Sequence, residues 1–144
     1  VQGARELPAA KVYEVKLIET VQQRQRLVLA HDGNSKVRSI ALVINPADIG
    51  EVETLRRLYS RIYREAVRVF GKPAQFREKG DFSAALHADV NAGRFVRVAE
   101  WNTGSGVLRL GIPRRLDGMV RIEFRHARNL PGFGNTLWSI EEVK

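Results

Sequence analysis

Between Asp48 and Pro73 the chain carries the pattern of one long helix, and the segments on both sides of it read as strands. Leu55, Tyr59, Ile62, Ala66, Val69 and Phe70 fall on a single apolar stripe at helical spacing. Asp48 with Glu51 three residues on resembles a capping box. Gly71 follows as the expected left-handed cap, and Pro73 prevents continuation. The expected helix therefore covers about residues 48–70. An amphipathic helix must bury its stripe against another element, and a sheet is the partner the rest of the chain offers.

The flanking patterns have the period of two that strands require. Tyr13, Val15 and Leu17 alternate with charged residues within Lys11–Glu19. Arg24–Ala30 and Lys36–Ile44 flank the turn-like run His31-Asp32-Gly33-Asn34-Ser35, a hairpin signal. Ile40–Ile44 is apolar on both faces and is expected to be a central, covered strand. After the helix, residues 72–82 read as loop, and 83–91 as a short second helix with Asp81 or Ser83 as cap and Gly93 as stop. Arg94–Trp101, Val107–Ile112 and Met119–Ala127 form an expected antiparallel meander, and Thr136–Ile140 a short edge strand. The first ten residues read as a loose lead-in. The expected class is α+β: a mostly antiparallel sheet, N-terminal strands plus C-terminal meander, with one long helix on one face. Residues 1–144 are expected to form a single domain, a length that buries roughly 68–70% of the unfolded surface without disulfides or metal.

Little in the chain points to catalysis. There is no cysteine, so thiolate metal sites and thiol nucleophiles are absent. His31, His87 and His126 lie at no metal-ligand spacing. Gly104-Ser105-Gly106 joins two expected strands and suits a hairpin turn better than a phosphate loop. No catalytic residue, metal ligand or cofactor is assigned. No apolar run approaches the roughly 18 residues of a membrane span. The chain begins at Val1, and removal of a secretory signal is the expected reason, which would make the domain periplasmic or secreted; a cytoplasmic location is the other reading.

The charge is the remaining clue. Eighteen arginines against six lysines give a formal net charge of +8, and residues 94–128 alone carry +5. On the helix, Arg57, Arg61, Arg64 and Arg68 line the side away from the stripe, where a solvated surface accounts for them. In the meander, alternation puts Arg109, Arg121 and Arg125 on one outer face, opposed only by Glu123. The strand containing Arg97 has two orientations. Either Phe95, Arg97 and Trp101 join the outer arginines as a stacking and docking platform, or Trp101 is core and the platform vanishes. The expected function is a non-catalytic domain that recognises an acidic protein or other polyanion surface through Arg97, Arg109, Arg121, Arg125, Phe95 and Trp101. A nucleic-acid-binding domain is the first alternative. The second is a small-ligand-binding protein or hydrolase with a helix–sheet pocket holding His87 or His126 beside a carboxylate.

Overall fold

The computed structural model describes residues 10–16, 18, 24–31, 34, 36–44, 51–115, 118–130, 132 and 133. Among these, seven strands form one antiparallel sheet: β1 (Ala10–Val15), β2 (Gln25–His31), β3 (Val37–Ile44), β4 (Gln75–Lys79), β5 (Val96–Thr103), β6 (Gly106–Gly111) and β7 (Ile122–Ala127). Their order across the sheet is β1-β2-β3-β7-β6-β5-β4. Helix α1 (Val52–Phe70) joins β3 to β4, and the six-residue helix α2 (Leu86–Asn91) lies between β4 and β5. The α+β class and the sheet-with-long-helix architecture are as the sequence pattern implies.

The strand order accounts for the length of α1. Four strand spacings separate β3 from β4, about 19 Å. A 19-residue helix is about 28 Å long, enough to carry the chain diagonally over the sheet to its far edge. From there the chain returns through β5 and β6 until β7 pairs with β3. Register places Ile44 opposite Ile122, Phe124 opposite Leu110, and Leu110 opposite Ala99, so one face is apolar across four strands. Leu55, Leu58, Tyr59, Ile62 and Ala66 of α1 are buried in one cluster with that face.

The end of α1 is fastened to the sheet. Gly71 takes φ 85°, and its N–H donates to the carbonyl of Val67 at 2.8 Å. Trp101 on β5 donates its Nε1–H to the carbonyl of Gly71 at 2.8 Å. Its ring lies 6.2 Å from those of both Phe70 and Phe124.

Several boundaries differ from expectation. The N-cap of α1 is Glu51, without a side-chain cap bond, while Asp48 lies outside the described residues. Val69 and Phe70, the last two members of the expected stripe, are half-exposed, and Leu58 is buried in addition. Ser83 Oγ accepts from the N–H of Ala85, one residue before α2 begins, and Gly93 at φ 77° follows its end. Residues 75–79 are a strand rather than a loop, paired with β5 from Gln75–Glu100 to Lys79–Val96. That segment has one apolar residue, Phe76, so no alternation reveals it; the open edge of β5 supplies its hydrogen-bonding partner. The expected strand 136–140 and most of the lead-in lie outside the described residues.

Candidate binding site

Arg109 and Arg125 lie on the sheet face opposite α1, as alternation implies, but they are not at the surface. Arg109 is 2% exposed and Arg125 is fully buried. Buried guanidiniums cost several kcal/mol each unless they are paired and hydrogen-bonded, and here they are. Glu100, directly across from Arg109 on β5, accepts from its Nε at 2.9 Å and its Nη2 at 2.5 Å. Arg125 donates to Glu123 Oε1 from Nε at 3.2 Å and Nη2 at 2.9 Å, and to Ser39 Oγ at 2.9 Å. Arg121 precedes β7 and donates from Nε to Glu123 Oε2 at 2.7 Å; Arg115 approaches the same oxygen at 3.5 Å. Burial draws the pKa of Arg121 down, against the opposing pull of Glu123. One carboxylate thus gathers three guanidiniums. The expected basic outer face is an internal ion-pair network.

The orientation of β5 resolves against the platform. Trp101 pairs with Leu108, which shares the apolar face with Leu110, so Trp101 points toward α1 and is 4% exposed. Arg97, four residues earlier, takes the same face and is therefore separated from Arg109 and Arg125 by the sheet itself. Phe95 is 2% exposed and packs edge-on against Phe82, ring centroids 4.9 Å apart. Of the six expected binding residues, Arg97 lines a concave surface formed by described residues.

That surface is a groove of about 390 Å³ between α1, β4 and β5, lined by Arg56, Tyr59, Ser60, Tyr63, Arg64, Glu78, Phe82 and Arg97. Arg97 is held at its base. The guanidinium lies 4.9 Å from the centroid of Phe82 and 4.6 Å from that of Phe95, within cation–π range. It donates to the carbonyls of Lys79, Val96 and Gly80 at 3.0, 2.8 and 2.9 Å. Gly80 is required there: at φ 77°, an added Cβ would stand 2.6 Å from the carbonyl oxygen of Arg94. Along the wall, Tyr59 and Tyr63 stack with centroids 6.4 Å apart. Burial raises the pKa of the Tyr59 hydroxyl well above its usual value; Glu78 adds to the shift and Arg97 opposes it.

Charge in the groove does not cancel. Arg56, Arg64 and Arg97 face one carboxylate, Glu78. Arg56 is bonded to Glu53 one turn back on α1. Arg97 has carbonyls rather than a carboxylate as partners among the described residues. Arg64 is exposed. The outer side of α1 extends the same sign, with Arg56, Arg57, Arg61, Arg64 and Arg68 against Glu53 and Glu65. Sequence reasoning missed the groove because β4 gave no strand signal. The spacing of Tyr59, Tyr63, Ser60 and Arg64 along one flank of the helix was the available clue.

Among the described residues, neither His87 nor His126 lines the groove. His87 is exposed on α2. His126 Nε2 lies 3.1 Å from Thr103 Oγ1 and 3.4 Å from Ser105 Oγ. Thr103 donates its one hydroxyl proton to the carbonyl of Gly106 at 3.0 Å, so toward His126 it accepts. Nε2 then carries the proton and offers no lone pair to Ser105. Among the described residues no group of three His, Asp or Glu side chains is placed to hold a metal, and no helix is long and apolar enough to cross a membrane. No protein-family model matches the sequence, and neither a curated protein nor a solved structure is significantly similar to it.

Proposed function

We propose that this chain is a non-catalytic binding domain that recognises an acidic protein partner through the groove between α1 and β4 and the basic outer side of α1. The observation that carries the reading is the convergence of Arg56, Arg64 and Arg97 on a concave, aromatic-walled surface holding one carboxylate. Guanidiniums pair bidentately with carboxylates and stack on rings, which suits them to an acidic side chain entering beside Tyr63 and Phe82. On the surface expected from the sequence, the outer face of the meander, Arg109 and Arg125 are buried against Glu100 and Glu123, which keeps them from a partner.

The test is fluorescence anisotropy with a labelled peptide rich in glutamate, at low salt, against the wild-type chain and Arg64→Glu. Arg64 is exposed, and reversal of a surface charge is expected to change stability by less than about 0.5 kcal/mol. Binding is expected to weaken about tenfold and to fall with added salt as surface charges are screened. Unchanged affinity in Arg64→Glu contradicts the groove as the site. Tighter binding of a single-stranded oligonucleotide of equal charge would assign the same surface to nucleic acid instead.

A further inference from the structure

Among the described residues the groove is flanked by an open edge of the sheet, and we infer that the acidic partner binds there as an extended strand added to β4. The inference rests on the groove being an acidic-partner site and names how that partner is held. Among the described residues β4 is the terminal strand, paired with β5 alone. All five of its residues are exposed. Its other edge therefore presents backbone N–H and C=O groups in the repeat that a second polypeptide strand satisfies. A nucleic-acid backbone carries phosphate acceptors but lacks the matching amide donors, so this edge favours a peptide.

The side chains of β4 define the partner further. Phe76 and Glu78 pair with Ala99 and Arg97 and lie on the groove face; Gln75, Arg77 and Lys79 lie on the other. Phe76 is 58% exposed and offers an apolar contact beside the groove. Arg77 and Lys79 offer two positive charges to alternate residues of an incoming strand. A second copy of β4 is disfavoured, since antiparallel self-pairing centred on Arg77 sets Arg77 against Arg77, and like charges directly opposite destabilise a sheet. An acidic strand removes that conflict. Its carboxylates at alternate positions meet Arg77 and Lys79 on one face, and a carboxylate at an intervening position points to the groove face and approaches Arg64.

The experiment uses the intact chain and a short labelled peptide of glutamate, valine and threonine that carries glutamates on both faces of the extended strand. Two N-methylated versions are compared, each blocking the amides of one edge of the peptide. Blocking one edge is expected to weaken binding about fivefold for each hydrogen bond lost, and blocking the other to leave it unchanged. The amides of β4 should also gain protection from hydrogen exchange when the parent peptide binds. If both methylated peptides bind like the parent while Arg64→Glu still weakens them, the groove stands and strand addition is overturned. If Arg64→Glu has no effect either, the groove reading itself has failed.

Discussion

Replacing Glu123 with glutamine is expected to destabilise the fold by about 3–5 kcal/mol, the cost of leaving buried charges without their partner. Glu123 is fully buried, and Arg115, Arg121 and Arg125 converge on its two oxygens. Glutamine has nearly the same volume, so no cavity forms and the change isolates charge. It removes a negative group that three guanidiniums share and turns an amide donor toward donors. Since a domain of ordinary stability has only about 5–15 kcal/mol in total, the loss should be plain in urea denaturation and should lower Tm on the order of 10 °C. A carboxylate on a solvated sheet face would change stability by less than about 0.5 kcal/mol, so the size of the effect separates a buried network from a surface.

Trp101→Ala should cost a comparable amount, about 3–5 kcal/mol, through the cavity left between β5 and the end of α1. The ring is 4% exposed and lies against Phe70 and Phe124. Trp101→Phe retains most of this packing but loses the bond to the carbonyl of Gly71, a net loss of about 1 kcal/mol. The ranking Ala well below Phe, and Phe slightly below wild type, is the expected result in thermal denaturation. If Trp101→Ala were tolerated while binding to an acidic peptide fell, Trp101 would be a surface anchor rather than a core residue.

These two residues also mark where sequence was and was not legible. The helix could be read because its apolar stripe and its Gly71 cap are local features, three to five residues apart. The meander could be read because its strands keep a period of two. The destination of the alternating arginines could not. In a strand, a polar residue out of phase with the apolar ones ordinarily points to solvent; Arg109 lies between Leu108 and Leu110, and Arg125 is out of phase with Ile122 and Phe124. What reverses the inference is cross-strand register: Glu100 comes opposite Arg109 only once β5 and β6 pair, and Ser39 reaches Arg125 from 86 residues away. The groove was hidden for a related reason. Its floor is Arg97 on Phe82 and Phe95, and its rim is β4, a strand that exists because β5 has an edge to fill. The positive charge was visible in composition; its division between interior and surface was not.

That division is the central claim, and arginine-selective labelling of the folded chain with a dicarbonyl reagent, read residue by residue by mass spectrometry, tests it most directly. The prediction is fast modification of Arg57, Arg64 and Arg77, which are exposed, and protection of Arg109 and Arg125 until the chain is unfolded. Labelling of Arg109 and Arg125 at the rate of Arg64 under native conditions would contradict it and return the basic surface to the meander.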